Sequence, residues 1–487
     1  MPRLLLSAVI AAAFAAPAAA QHFIYATAAS PGRVDAYRVS SQSGLPLGDP
    51  PVEQQPTGGE RPRRIIANQA RCVLYVAETD RVEVYKIHKN ATLDRIGGTK
   101  RTKKMQAHDL ELSVDGNMLY VPLRQQDTIA AYPLDAEGKP SFMPLQEGNI
   151  SVGQPRSCIW GNPGSSWEDI ELQGDKLYAT ATNRLEVYGV DANGDLIAAA
   201  HVPVDLNGDG TVAEDERDVY PPKNGSTPAG DGVIDQNDRD RWGCAPYVVT
   251  PDPDSPKNCV DPELKPKPKP KDLPSRSCPF TFRSHINGAT GLIVRGKTMI
   301  VGERFIHDLL GFTLQADGNF EPIPPDAQPI SPDPPGPDLT QYPTKKEKKM
   351  ERRSRKKNRT EEQLRYVGLT YFAPVGDDPV VYGAGYAGRV DGFRLKPDAV
   401  DPTILRLPKE LSSATPKNVV STPTRTYLAE IGNSPTLYVA AGELDSIEAF
   451  KIFPQGSLDA DAVPVMTPVL KGSFPNDVVL VDTSLCD

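Results

Sequence analysis

Apolar and polar residues alternate with a period of two along most of this chain, in short runs that come in pairs. Each pair reads aliphatic, Tyr, Val or Ala, a polar turn, aliphatic, acidic or small, then aromatic. The unit recurs as HFIYATAASPGRVDAYRV from His22, VLYVAETDRVEVYKI from Val73, MLYVPLRQQDTIAAYPL from Met118 and KLYATATNRLEVYGV from Lys176. Further copies are TMIVGERFIHDLLGFTL from Thr298, VVYGAGYAGRVDGFRL from Val380 and TLYVAAGELDSIEAFKI from Thr436. Side chains alternate across a strand, so apolar residues on both faces predict hairpins buried between neighbours, as in the blades of a propeller.

A third strand precedes most copies. HDLELSVDGN from His108, EDIELQGD from Glu168, Ile65 to Asn68, ATGLIVRGK from Ala289, LRYVGLTYF from Leu364 and RTYLAEIGN from Arg425 occupy that place. The first copy has no such strand, whereas NDVVLVD from Asn476 stands unused at the C-terminus. The expectation is an all-β, seven-bladed β-propeller closed by a C-terminal strand that completes the N-terminal blade. Such closure removes the open sheet edges that invite aggregation. A sandwich or a β-solenoid would not predict a first strand supplied by the last segment.

The anchor positions also locate two long insertions. Spacing runs from 45 to 58 residues except for 122 between Tyr178 and Ile300 and 82 between Ile300 and Tyr382. The reading is a signal peptide over 1–20, blades one to four over 21–204, a calcium module and Pro/Lys spacer over 205–275 and blade five over 276–320. A Pro-rich and basic loop over 321–360 and blades six and seven over 361–487 follow. In KKEKKMERRSRKKNR from Lys345, ten basic residues stand against Glu347 and Glu351, a composition that predicts a flexible, solvated segment. Its functional counterpart is a tether to anionic polymer, lipid headgroups or cell-wall material.

The N-terminus has Arg3, an apolar run, and Ala18 and Ala20 placed for cleavage before Gln21, as in a secretory signal peptide. This predicts a secreted or periplasmic protein of bacterial type without a transmembrane segment, and no glycan is assigned to Asn90, Asn149, Asn224 or Asn358. In an oxidising compartment the six cysteines are compatible with disulfides, and Cys244 with Cys259 is the preferred pair because both flank a Pro-rich loop. A net charge of −9 and a pI near 5.4 argue against a nucleic-acid binder.

DLNGDGTVAEDE, from Asp205 to Glu216, carries the most specific motif. Calcium wants six to eight oxygens, which a 12-residue loop supplies from positions 1, 3, 5, 7 and 12 around a turn glycine. Asp205, Asn207 and Asp209 fill the first three, Thr211 offers its carbonyl, Glu216 closes the sphere bidentately, and Gly210 makes the turn. Val212 takes the apolar eighth position, and Ala213 at the ninth leaves a ligand to water. GDGVIDQNDRD from Gly230 reads as a degenerate second loop, with Asp231, Gly232, Ile234 and Asp238 in place but Thr227 and Ala229 where carboxylates belong. The pair resembles EF-hand and dockerin-type modules, which implies a structural Ca2+ that stiffens the insertion.

The blade beginning AHDLELSVDGNMLYVPLRQQDTIAAYPL at Ala107 resembles the lactonase-type seven-bladed propeller family, related to bacterial 6-phosphogluconolactonases. His108, Ser113, Asp115, Gly116, Leu119, Tyr120, Val121, Asp127, Ile129 and Tyr132 match its pattern. The chain departs from it at Gln106-Ala107-His108, where the family often has His-x-His, and at Arg124-Gln125-Gln126, where it has a Gly-rich turn. The resemblance implies lactone hydrolysis at the channel mouth, where inner strands start and the turns of the hairpins open. His108, Asp109, Glu168, Asp169 and Asp477 start such strands, while Glu78, Arg124, Glu303 and Arg304 occupy the turns. Hydrolysis needs a base to activate water and a cation for the oxyanion. His108 or Glu303 is the candidate base and Arg124 or Arg304 the oxyanion partner. The competing readings are a non-catalytic propeller that binds a small molecule, polysaccharide or protein on one face, and a surface scaffold.

Overall fold

The structure is a computed structural model. It describes residues 21–47, 51–59, 61–101, 106–123, 128–141, 158–159, 167–181, 184–190, 192–194, 196–197, 289–303, 309–314, 320–323, 366–373, 378–385, 389–396, 403–406, 423–431, 434–441, 446–459, 467–468 and 475–486. Among the described residues seven antiparallel sheets follow one another, and six of them begin with the strand expected upstream of the hairpin. Blade two runs Arg64–Asn68, Val73–Ala77, Val82–Ile87 and Leu93–Gly98. Blade three begins with Glu111–Leu112 and continues through Met118–Leu123 to Thr128–Pro133. Blade four has Trp167–Gln173, Lys176–Ala181 and Arg184–Val190, the last flanked by Cys158–Ile159 and Leu196–Ile197. Blades five, six and seven begin with Ala289–Arg295, Tyr366–Phe372 and Pro423–Ile431. Glu321 and Pro322, assigned above to the second insertion, instead complete the outer strand Phe320–Pro322 of blade five, paired with Thr313 and Phe312. The remainder of that insertion, the calcium loop, and Cys244 with Cys259 lie outside the described residues.

Blade one is assembled from both chain ends. The strand Pro475–Asp482 pairs antiparallel with His22–Ala29, setting Tyr25 opposite Val479 and His22 opposite Asp482. A bulge between Ala26 and Ala28 frees the Thr27 hydroxyl to accept from the Asp477 amide at 3.1 Å. Just beyond this strand, Cys486 forms a disulfide with Cys72, which lies in the turn of blade two, 414 residues away in sequence. The closing strand is therefore hydrogen-bonded to blade one and covalently tied to blade two.

The period-two pattern is apolar on both faces because each blade is covered on both sides. In one strand of blade two, Leu74 and Val76 pack with Phe23, Tyr25 and Val34 of blade one, whereas Val73, Tyr75 and Ala77 pack with Leu119 and Val121 of blade three. The anchor tyrosines add a polar lock. Tyr75 donates to Gly138 O of blade three at 2.8 Å, Tyr120 to Gly194 O of blade four at 2.8 Å, and Tyr382 to Gly456 O of blade seven at 2.6 Å. Tyr438 reaches Gly44 O of blade one, and Tyr25 reaches Ala91 O of blade two. The acceptor is each time the left-handed residue of the neighbour's outer turn, with φ of 82° at Gly138 and 83° at Gly456. Glycine takes up that conformation without steric cost, and its carbonyl is thereby presented to the buried phenol. Buried hydroxyls need such partners. This explains why the repeat uses Tyr where Phe would fill the same space.

The acidic position of the repeat is buried as well, and its partners differ between blades. Arg33 Nε donates to Asp35 at 2.6 Å in blade one. In blade two, Glu83 accepts from the Tyr85 hydroxyl at 2.5 Å and from the Gly58 amide at 2.9 Å, and pairs with Arg95 at 2.8 Å. Blade seven has Ser446 where the arginine stands and Phe450 where the tyrosine stands. Among the described residues, Glu448 Oε2 and Ser446 Oγ have no hydrogen-bond partner, and burial pushes the Glu448 carboxyl up to about 7. The folded state therefore keeps a proton that the unfolded chain loses at the ordinary glutamate value. Stability contributed by that proton is complete below about pH 4.5 and falls as pH rises to about 7, a change of about 3 kcal/mol. Glu448→Gln is expected to match the parent at pH 4.5 and to exceed it by up to about 3 kcal/mol at pH 8 in urea titrations. A parent and variant of equal stability at both pH values would refute a buried, unpaired carboxyl at this position.

Candidate active site

The first residues of the inner strands meet around the axis of the ring. Asp477 of blade one accepts from the Ile65 amide of blade two at 3.0 Å, Asp109 of blade three from Ile170 of blade four at 2.9 Å, and Asp169 of blade four from Leu292 of blade five at 2.8 Å. Three of the candidate residues thus stitch neighbouring blades together. Blade two carries Arg64 at the equivalent position, between two such aspartates. Its Nε lies 2.7 Å from Asp109 and its Nη1 3.1 Å from Asp477. Burial opposes the guanidinium charge, but the Asp109 and Asp477 carboxylates outweigh that and raise its pKa above the ordinary arginine value.

One residue before Asp109, His108 Nδ1 contacts Glu168 Oε2 at 2.9 Å. The two side chains are 10% and 9% exposed, enough for water to arrive and little enough to screen the pair from bulk solvent. A carboxylate on one imidazole nitrogen fixes the ring and assigns proton chemistry to the other. The sequence nominated both residues, and the structure brings them together across the boundary between blades three and four. Glu303 ends the strand Thr298–Glu303 with its backbone opposite Ala289, on the face where Ala289–Arg295 begins. The Glu303 side chain, Arg124 and Arg304 lie outside the described residues.

Two more carboxyls follow at alternate positions of the same strands, Glu111 two residues after Asp109 and Glu171 two after Asp169. Burial, then the Glu171 and Asp109 charges, hold Glu111 well above the ordinary carboxylate range, against Arg64 and the Leu172 amide. Glu171 is also raised by burial, opposed chiefly by Arg295, with which it forms an ion pair. The Arg295 guanidinium in turn stacks 5.4 Å from the centre of the Tyr371 ring. Arg64, Glu111, Glu171 and Arg295 were not singled out from sequence. The signal was present for the acids, in the alternation of Asp109 with Glu111 in HDLEL and of Asp169 with Glu171 in EDIEL. An apolar inner strand tolerates two carboxyls on one face only where that face is polar.

Glu78, the candidate in the hairpin turn of blade two, has a different environment. It sits 3.7 Å from Arg81, beside Asp80 and Glu83 and beneath Gly59 of the connection from blade one. Burial pushes its carboxyl up to about 7, with Thr57 opposing and Glu83 adding. A Cβ on Gly59 would fall 1.5 Å from Glu78 Oε2, so that connection crosses directly over the acid. Among the described residues no group of three or more His, Cys, Asp or Glu is arranged to hold a metal ion.

Residues 14–165 match the family described as Lactonase, 7-bladed beta-propeller. The ring has the fold of the lactonase-type seven-bladed propellers. A periplasmic gluconolactonase from Pseudomonas aeruginosa is similar in structure, with a TM-score of 0.54 and 13% identity over 95% of this chain and 99% of that one. A putative 6-phosphogluconolactonase from Bacteroides uniformis gives 0.52 and 11% over the same shares. No curated protein matches the chain in sequence. At such identities the lactonase-type likeness carries the fold, while activity must be argued from the site. Among the described residues, no helix is long and apolar enough to cross a membrane.

Proposed function

We propose that this lactonase-type propeller is an exported hydrolase that opens a lactone at the mouth of its channel. The observation that carries this reading is the His108–Glu168 contact at 2.9 Å, on the inner-strand starts of adjacent blades. Glu168 orients the imidazole, and His108 Nε2 takes a proton from water as the oxygen attacks the acyl carbon. The tetrahedral oxyanion is met by a cation, for which Arg124 and Arg304 in the neighbouring turns are the candidates. Collapse of the intermediate breaks the ring C–O bond, and the imidazolium returns its proton to the leaving oxygen, giving a hydroxy acid. Glu303 is the alternative base if the substrate lies closer to blade five. Each group has the chemistry for its role, and the enzymes of known structure with this ring include one described as a gluconolactonase.

The test is hydrolysis of a panel of sugar and aliphatic lactones by the chain from Gln21, followed by pH-stat. Turnover above the spontaneous rate supports the proposal. Its absence with every lactone leaves a propeller that binds a polysaccharide or protein on one face.

Calcium belongs to the same proposal as a stiffener of the first insertion, held by Asp205, Asn207, Asp209, the Thr211 carbonyl and Glu216. Loops of this type in extracellular modules bind at about 10⁻⁴–10⁻³ M, and more tightly as carboxylates are added. Calorimetric titration with Ca2+ is expected to show one site, abolished in Glu216→Gln because the bidentate ligand is lost. An unchanged isotherm in that variant would remove the loop as the calcium site. Export is tested by the N-terminus of the protein recovered outside the cytoplasm, expected at Gln21.

A further inference from the structure

We propose that Glu78 is a proton-operated latch for the connection between blades one and two, holding residues 57–59 down on blade two in acid and releasing them near neutral pH. The inference stands apart from the lactonase reading, because the proposed reaction does not use this group. Residues 57–59 cross the hairpin of blade two and lead, through Pro62 and Arg63, into the inner strand that carries Arg64. That hairpin holds both polar groups of Gly58: the amide donates to Glu83 Oε2 at 2.9 Å, and the carbonyl accepts from Arg81 Nη2 at 2.6 Å. Gly59 rests on Glu78 so closely that only a residue without a Cβ fits there. On either side the connection is pinned, by the Thr57 amide on Gly32 O at 3.0 Å and the Arg63 amide on Ala77 O at 2.8 Å.

The charges around Glu78 make this closure depend on its proton. Asp80, Arg81 and Glu83 face it from its own hairpin, with Arg95 and Arg101 behind them, and the connection adds the Thr57 hydroxyl. Arg95 pairs with Glu83 at 2.8 Å and Arg101 with Asp80. Among the described residues the cation nearest Glu78 is Arg81, which is shared with Asp80 at 3.4 Å and Glu83 at 3.6 Å. Neither Glu78 oxygen has a well-aligned hydrogen-bond partner, the Thr57 hydroxyl being the polar group that most favours its ionised form. A neutral Glu78 can stay buried and leaves Arg81 to the Gly58 carbonyl. An ionised one must draw Arg81 toward itself or reach water, and either weakens the hold on the connection. Burial pushes the carboxyl up to about 7 in the closed arrangement, and lifting residues 57–59 returns it to water and its ordinary value. The closed arrangement therefore keeps a proton that the open one loses. Closure is fully favoured below about pH 4.5 and loses that advantage as pH rises to about 7.

The experiment is hydrogen exchange of the segment 56–60 in the folded full chain, read by mass spectrometry from pH 5 to pH 8 and divided by the intrinsic exchange rate. Opening of the parent is expected to rise roughly tenfold or more over that range. Glu78→Gln, neutral at every pH and of the same shape, is expected to remain at the parent's acid level throughout. Glu78→Asp keeps the acid but withdraws it from Gly59, and its smaller expected rise supplies the comparison if the glutamine variant does not fold. The strand Val73–Ala77 is the internal control. A pH-independent parent, or the parent's pH dependence surviving in Glu78→Gln, would overturn the latch. A parallel rise in Val73–Ala77 would overturn it too, since it would report opening of the whole blade.

Discussion

Cys72→Ala, Cys486→Ala and the double variant are each expected to lose about 3–5 kcal/mol of stability, and to lose the same amount. The Cys72–Cys486 bridge spans 414 residues, so removing it restores to the unfolded chain the closure entropy of nearly the whole protein. The chain-entropy relation places the ceiling for such a loop at about 6 kcal/mol. Measured losses for native bridges cluster lower because unfolded chains retain some compactness. Equality of single and double variants follows because either substitution breaks the same cross-link. Substitution is more informative than a reductant, which is not specific to this bridge in a chain with six cysteines.

The effect should also be local. Pro475–Asp482 joins blade one from the far end of the chain, and beyond its ladder it is held by Asp477 on Ile65 and Gln69 on Asp482. Without the disulfide, amide exchange should accelerate first in this strand and in its partner His22–Ala29, as sub-global opening predicts. Urea titration and hydrogen exchange are the measurements. A variant as stable as the parent would show that hydrogen bonds and packing alone hold the ring shut.

The architecture was legible because its determinants lie close together in sequence. The hairpin unit puts strand, turn and strand within about twenty residues, and the missing first strand with an unused last one could be read without contacts. The tyrosine lock was only half legible: the conserved spacing located Tyr75 and Tyr120, but not that their hydroxyls reach Gly138 and Gly194 in the next blade. Those partners are 63 and 74 residues away, a distance at which periodicity says nothing. Cys72 with Cys486 was illegible for the same reason, and the Pro-rich flanks of Cys244 and Cys259 drew attention elsewhere.

The site divides along the same line. His108 and Glu168 were visible as polar residues opening apolar strands, whereas Arg64 draws its meaning from Asp109 and Asp477, one on each neighbouring blade. The alignment of equivalent positions across blades is what reveals it, since an arginine replaces an aspartate there. Glu448 teaches the same lesson in reverse. Its acid fits the repeat, but Ser446 and Phe450 have replaced the two residue types that satisfy that acid in blades one and two.

His108→Ala should lower kcat/KM for the preferred lactone by about 10²–10⁴-fold, the range for removing a positioned general base. The loss should fall on kcat, because the imidazole acts on water in the transition state and contributes little to holding the lactone. Glu168→Gln tests the carboxylate separately. Since Glu168 lies 2.9 Å from Nδ1, its replacement by a neutral amide leaves a base that is less well oriented, with a smaller loss than His108→Ala. The double variant should be no slower than His108→Ala alone, because a positioning residue has nothing to position once the base is gone. Retention of the urea midpoint in each variant separates this from unfolding. Additive losses would assign Glu168 a role independent of the histidine, and unchanged turnover in His108→Ala would transfer the base to Glu303 on blade five.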